Sequence, residues 1–287
     1  MEIDSKICTV QNAFHLAGVV PVAGQPLDFK MDWHDCLMPL APDYTMIEHA
    51  VYECAWAGCE TIWITCHADM EPLIRHRLGD YIQDPVWVNR TLEQYPSEHQ
   101  RRIPIFYVPI HPKDRDRRDC LSWSVIYGAL IALKVSSKIS RWVIPDKYYV
   151  SFPYGIFDPE ELRGLRRKIS SPKNFFAGKI SDLGLFNSFN SFTFGKEEFV
   201  LFRRELRKGT GGWKNSGSEM PSERLPIEER YSARYFELKD IFSGLQVDED
   251  MRFEPSFFYD VGVWQDYVTY LASPHARTIQ RPSKEIM

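Results

Sequence analysis

The stretch from Val19 to Asp69 constrains the fold more than any other part of the chain. Val19-Val20-Pro21-Val22 is a short apolar run closed by Ala23-Gly24. Such a run, ended by a glycine, reads as a buried strand entering a loop. Thr45 can cap a helix whose apolar positions include Ile47, Val51, Cys54 and Ala55, and Gly58 can end it. Thr61 to Thr65 is β-branched and aromatic and reads as a second strand. Strand, loop, helix and strand make a βαβ unit, which requires a parallel sheet with helices on its faces. Ligands of such sheets bind beyond the carboxyl ends of the strands, so the loop after Val22 is the first candidate site.

Further along, Met70 to Leu78 reads as a helix ended by Gly79, and Tyr81 to Gln100 as a polar and aromatic connection. Ile103 to Ile110 reads as a strand whose Pro104 and Pro109 place it at a sheet edge or strand end. His111 to Asp119 (HPKDRDRRD) is expected to be a solvated loop. The sharper reading is a phosphate loop using Arg115, Arg117 or Arg118, because a guanidinium donates paired hydrogen bonds to phosphate. Ser122 to Lys134 follows as a helix. Trp142-Val143-Ile144 is expected to be a buried central strand ended by Pro145-Asp146. Asp146 is then either a turn former or a carboxylate facing the ligand crevice, where Mg²⁺ takes hard oxygen ligands. Asp158 to Lys168 reads as a charged helix and Phe175 to Ile180 as a strand or strand end. Lys208 to Glu223 is rich in Gly and Ser and reads as a flexible loop within one domain spanning residues 1–287.

Composition narrows the functional classes. A formal charge of −4 and a pI near 6.1 argue against a whole-surface grip on nucleic acid. No run of 18 apolar residues occurs, so no membrane helix is expected. The opening residues lack a basic segment followed by an apolar core, and a cytoplasmic protein is the expectation. The six cysteines form no CxxC pair and are expected to be buried thiols rather than metal ligands.

Several segments together resemble the sugar-1-phosphate nucleotidyltransferases, most of all the bacterial UTP–glucose-1-phosphate uridylyltransferases. They are Pro21-Val22-Ala23-Gly24, Leu37-Met38-Pro39-Leu40, the run from Tyr52-Glu53-Cys54 through Ala57-Gly58 to Thr65-Cys66-His67, Tyr235 to Ile241, and Phe257 to Tyr267. The resemblance spans about residues 17–273. It implies an α/β, Rossmann-like fold of the nucleotide-diphospho-sugar transferase type: a mixed, mainly parallel twisted sheet with helices on both faces. It implies transfer of a nucleotidyl group from an NTP to a sugar phosphate or related phosphate, with Mg²⁺ held by Asp146 and Asp260, and a sugar phosphate gripped by Lys179. Ala23, Gly24 and Gln25 would face the nucleotide.

The pattern departs from the family twice. Gln25-Pro26-Leu27-Asp28 stands where the family has Gly-Thr-Arg, and Asp35 where it has a lysine. Lys30, Arg115, Arg117 and Arg118 are the candidate replacements for that lost positive charge. Two alternatives stay open: a non-catalytic homologue binding a nucleotide or a protein partner, and a glycosyltransferase using a nucleotide sugar. The base, the acceptor and the oligomeric state are not encoded in any motif found.

Overall fold

The computed structural model describes residues 14–282 except 25, 26, 28, 89–100, 140–143, 181–183 and 214–223. Strand β1 (Leu16–Pro21) leads to a small hairpin, β2 (Pro39–Ala41) and β3 (Tyr44–Thr45), and then to α1 (Met46–Ala57) and β4 (Thr61–His67). Helix α2 (Glu71–Leu78), β5 (Tyr81–Gln83), α3 (Pro85–Val88), β6 (Arg102–Ile110), α4 (Pro112–Arg118) and α5 (Leu121–Ile139) follow. The second half contains β7 (Lys147–Val150), β8 (Gly155–Ile156), α6 (Arg166–Ile169), β9 (Phe176–Ala177), β10 (Ser191–Phe194) and α7 (Lys196–Lys208). It ends with α8 (Leu238–Phe242), β11 (Arg252–Phe253), β12 (Tyr259–Asp260), α9 (Trp264–Ala272) and α10 (His275–Thr278).

Eight strands make one sheet in the order β11-β9-β10-β7-β1-β4-β6-β5. β1 pairs parallel with both β4 and β7, β4 with β6, and β9 with β11, whereas β10 and β5 run antiparallel to their neighbours. The βαβ unit forms as its sequence requires. The Glu48 carboxylate accepts from the Thr45 amide and hydroxyl, both at 2.9 Å, and fixes the start of α1. Gly58 ends α1 at φ 97°, a left-handed conformation that costs glycine nothing.

Helices lie on both faces. Gly18 faces α1, where a Cβ would meet Cys54 Sγ at 2.8 Å, while its neighbour Val19 lies against Gly128 of α5. The core runs as one cluster from Leu16 through the aromatic group Phe192, Phe194, Phe202 and Phe242. No helix among the described residues is long and apolar enough to cross a membrane.

Four expectations need correction. The strand beside β1 is Lys147–Val150, not Trp142–Ile144, and residues 141–143 lie outside the described set. The charged run after His111 is helix α4, with Pro112 in its first turn and the His111 side chain accepting from the Lys113 amide. A proline behind an N-cap and an Asp114–Arg118 pair at i, i+4 explain why it is helical. Strand β6 is not the edge strand: β5 covers its first three residues, Arg102 to Pro104. The expected charged helix at 158–168 is mostly a 3₁₀ turn (Pro159–Leu165) leading into α6. The Gly/Ser-rich segment falls largely on residues 214–223, outside the described set.

Candidate functional site

The carboxyl ends of β1, β4, β6, β7 and β9 share one edge of the sheet, and most of the sequence-predicted site residues gather there. Gly24 ends the chain leaving β1 and lies against the start of α5, where a Cβ would sit 2.9 Å from the Leu121 amide. Only glycine permits that approach. Val22 and Ala23 amides both donate to the Thr65 carbonyl at 2.9 Å. The Ser124 hydroxyl donates to the Ala23 carbonyl. The backbone of Ala23 is therefore consumed inside the fold and does not face a ligand. Gln25, Pro26 and Asp28 lie outside the described residues. Asp35, standing where the resemblance expects a lysine, is buried and accepts the Leu27 amide at 2.7 Å. Burial raises its pKa above the ordinary value, and the Leu27 bond partly offsets that. Its carboxylate closes the loop from within. Lys30 is exposed, at φ 54°.

The two aspartates expected to share a metal lie at opposite edges. Asp146 precedes β7; its Oδ2 accepts the His15 amide at 2.8 Å and its own amide donates to the His15 carbonyl. The six residues of β1 separate that position from the crevice, about 20 Å at ~3.3 Å per residue. Asp260 sits at the crevice, opposite Gly155 in the β12–β8 pair. The Gly262 amide donates to its Oδ1 at 3.3 Å, and the Ser188 side chain and Phe189 backbone also bond it. Desolvation raises its pKa, with those three bonds pulling it back down. What stands beside Asp260 is Tyr154, whose carbonyl accepts the Val261 amide at 2.9 Å. Tyr154 follows Phe152-Pro153 at the true carboxyl end of β7. Pro153 precedes Tyr154 there, and the Tyr154 side chain is buried. No group of three His, Cys, Asp or Glu side chains able to hold a metal occurs among the described residues. The residues present do not fit a Mg²⁺ ion held by a carboxylate pair.

Lys179 leaves the end of β9 at the same edge as Gly24, with its side chain exposed. The Asn190 side chain sets its backbone, accepting from the Lys179 amide at 2.9 Å and donating to the Lys179 and Leu185 carbonyls. Asn190 therefore links Lys179 to the Ser188–Phe189 turn that holds Asp260. Of the three arginines on α4, Arg115 pairs with Asp69 at 2.7 Å and Arg118 with Asp114 at 2.9 Å. Arg118 also stacks over Trp123, and Arg117 lies over the Tyr231 ring. Arg115 and Arg118 are thus held in ion pairs, whereas Arg117 is exposed.

The space itself is a cavity of ≈ 360 Å³ lined by Cys120 and Leu121 at the start of α5, Ser188 and Phe189 beside Asp260, and Arg234 and Glu237 on the segment before α8. Arg234 Nε is buried and finds no hydrogen-bond partner among the described residues. A second buried donor without a partner, Trp123 Nε1, lies in the first turn of α5. The sequence alone singled out neither Arg234 nor Tyr154. Arg234 is separated by more than a hundred residues from Cys120, so no local pattern marks it. The signal for Tyr154 was present in the run Tyr148-Tyr149-Val150-Ser151-Phe152, which is longer and richer in β-formers than Trp142–Ile144. Nearby, His67 Nε2 bonds Asp119 at 2.9 Å, and half-buried His34, its pKa lowered to about 4 mainly by desolvation, accepts from the Cys36 amide.

No protein-family model and no curated protein matches the sequence. Solved structures do. A Bacillus anthracis protein assigned as a glucose-1-phosphate thymidylyltransferase, determined with sucrose, aligns over 92% of this chain and 96% of its own, with a TM-score of 0.56 at 13% identity. The inositol-1-phosphate CTP transferase from T. maritima aligns over 96% and 98%, with a TM-score of 0.50 at 12% identity. The fold is the nucleotide-diphospho-sugar transferase fold. Identities this low carry the fold and not the activity. In a nucleotide-diphospho-sugar transferase fold, as in any open α/β sheet, the crevice at the carboxyl edge is where a ligand binds, and that is where the cavity lies.

Proposed function

We propose that the cavity binds a nucleotide, either an NTP or a nucleotide sugar, and that the protein is a divergent nucleotidyltransferase acting on a sugar phosphate or related phosphate. The observation that carries this reading is the conjunction of the cavity, the amino end of the 19-residue helix α5 and the partnerless Arg234 Nε in its wall. A helix amino terminus carries partial positive charge, and a guanidinium adds a directed donor fork. Together they complement an anionic phosphate beside an apolar wall suited to a base or sugar. In the proposed reaction, an acceptor phosphate oxygen forms a bond to the α-phosphorus while the bond to pyrophosphate breaks. No covalent enzyme intermediate is needed, and the residues act by binding and orienting. Arg234 would hold phosphate oxygens, Lys179 would meet the acceptor phosphate, and Asp260 would shape the turn between them.

A second reading, nucleotide binding without transfer, is favoured by one observation: Tyr154 fills the place beside Asp260 where the resemblance expects an acid. Calorimetry with the four NTPs and a panel of nucleotide sugars tests the shared part. Absence of binding by every one of them sinks both readings. Pyrophosphate release with NTP and sugar-phosphate pairs separates the two. With UTP and glucose-1-phosphate, turnover well below about 1 per second is expected, because Asp35 replaces a phosphate-gripping lysine.

A further inference from the structure

We propose that the cavity takes its ligand without a divalent cation, and that a nucleotide sugar is preferred over a nucleoside triphosphate. The proposal rests on the nucleotide reading above and concerns how the phosphate charge is met.

A divalent cation bridging protein and phosphate needs at least one carboxylate with a lone pair directed at the ligand, together with phosphate oxygens and retained water. Most carboxylates around this crevice already have another task; the exception near Asp260 is Asp266, exposed in the first turn of α9. Asp35 is buried and accepts the Leu27 amide. Asp260 is held by Ser188, Phe189 and Gly262, bonds that fix the turn. Asp119 bonds His67, and Asp69 pairs with Arg115. Glu237, in the cavity wall, pairs with Lys239 at 2.6 Å. The position next to Asp260 belongs to Tyr154, whose phenol is buried and pushed well above its usual pKa by desolvation, so it stays neutral and supplies no anionic oxygen. Asp146, the remaining candidate ligand, is at the far edge.

Charge must therefore be met by the protein's own cations. Within the cavity wall that is Arg234, whose buried Nε lacks a partner among the described residues. Lys179 stands at the same sheet edge with its side chain exposed. A guanidinium satisfies a phosphate diester with two parallel bonds and needs no metal to do so. A nucleotide sugar carries fewer charges than a triphosphate, and the acids already at this edge, Asp35 and Asp260 among them, oppose each extra one. Scarcity of cations and crowding by acids thus select the less charged ligand.

The test is calorimetric titration of the full chain with UDP-glucose, ADP-glucose, GDP-mannose and dTDP-glucose and with the matching NTPs, each in Mg²⁺ and in EDTA. At least one nucleotide sugar is expected to bind with a Kd that changes by less than about twofold between the two conditions, and to bind at least about tenfold more tightly than its NTP. A Kd that improves by about tenfold or more with Mg²⁺, or an NTP that binds as tightly as the sugar nucleotide, overturns the proposal while leaving the nucleotide reading intact. Failure of every ligand in both conditions defeats the nucleotide reading itself. Tyr154→Asp sharpens the result by restoring an acid beside Asp260: binding is expected to acquire Mg²⁺ dependence, and a folded variant that does not acquire it counts against the proposal. Should that variant fail to fold, Mn²⁺ paramagnetic resonance on the wild-type protein with the bound sugar nucleotide gives the same decision. All Mn²⁺ is expected to stay free, and a protein-bound signal overturns the inference.

Discussion

The two edges of the central sheet treat polar groups in opposite ways. At the amino edge, most polar groups satisfy one another, with Ser171 Oγ the exception among the described residues. The Asp146 carboxylate accepts the His15 amide while the Asp146 amide donates to the His15 carbonyl, the His15 ring bonds Thr61, and the buried Lys147 ammonium donates to the carbonyls of Ile169, Ser171 and Lys173. At the carboxyl edge, Thr65 Oγ1, Arg115 Nε, Trp123 Nε1 and Arg234 Nε are buried without hydrogen-bond partners among the described residues. Leaving a buried donor unpaired costs about 1–3 kcal/mol. An edge that tolerates such groups is one where a ligand completes them, and an edge that closes its own bonds is scaffold. The difference teaches which acids and bases matter for binding: a charged residue at a strand end is informative only once it is known which end.

That contrast can be broken by substitution. The largest effect is expected at Lys147. Lys147→Ala removes a donor shared by three carbonyls in a buried setting and should destabilise the protein by about 3–5 kcal/mol, read as a fall in the denaturation midpoint. Lys147→Arg should recover part of that loss. Residual folded Lys147→Ala should bind nucleotide with wild-type affinity, and a binding defect in folded protein would show that the amino edge is not mere scaffold.

Next in size is a pH effect at the joint between the edges. Glu53 on α1 is fully buried and accepts from Tyr149 Oη at 2.7 Å, Ser151 Oγ at 2.8 Å and Ser191 Oγ at 2.5 Å. Desolvation raises its pKa from 4.5 to about 7 against the pull of those three bonds. A folded pKa above the unfolded one means that the folded state keeps a proton the unfolded state has released. The contribution is complete below about pH 4.5 and is lost as pH rises through about 7, in total about 3 kcal/mol. His34 and His49, both lowered to about 4 chiefly by burial, act in the opposite sense, losing their contribution as pH falls from 6.5 toward 4. The clean measurement is therefore the difference between wild type and Glu53→Gln. From pH 5 to 8 the variant should gain on the wild type steadily, and parallel curves would show that Glu53 titrates normally.

At the carboxyl edge, Arg234→Ala should weaken nucleotide binding by about 10–100-fold, the worth of a charged hydrogen bond, with little change in melting temperature. Loss of stability instead of affinity would place Arg234 on the scaffold side of the comparison.

The fold was largely readable from the chain because its signals are local. Thr45, Glu48 and Gly58 mark the ends of α1, and the apolar runs at 16–21 and 61–67 need burial on both faces. Gly24, Lys179 and Asp260 fall at the carboxyl edge of the sheet. Asp146 does not, for a physical reason. Pro-Asp can end one strand or begin the next, since proline only forbids a ladder amide and aspartate only favours a turn. Two β-rich runs flank it, and choosing the shorter run reversed the end of the strand on which it sits. Arg234 escaped notice because its neighbours in the cavity, Cys120 and Ser188, are distant in sequence and meet it only through the packing of the 232–235 turn against α4.

The smallest expected effect discriminates most sharply between a strand-ending and a strand-starting aspartate. If Asp146 ended a strand at the crevice, Asp146→Asn would remove a metal ligand and abolish nucleotide binding. In the observed arrangement its Oδ2 accepts the His15 amide at 2.8 Å, and asparagine retains an oxygen that can do the same. Only the extra strength of a charged acceptor is lost, about 0.5–1.5 kcal/mol of stability. Denaturant unfolding should show that modest shift, and calorimetry should show an unchanged Kd. A Kd weakened by about tenfold or more would place Asp146 within reach of the ligand and dissolve the distinction between the two edges.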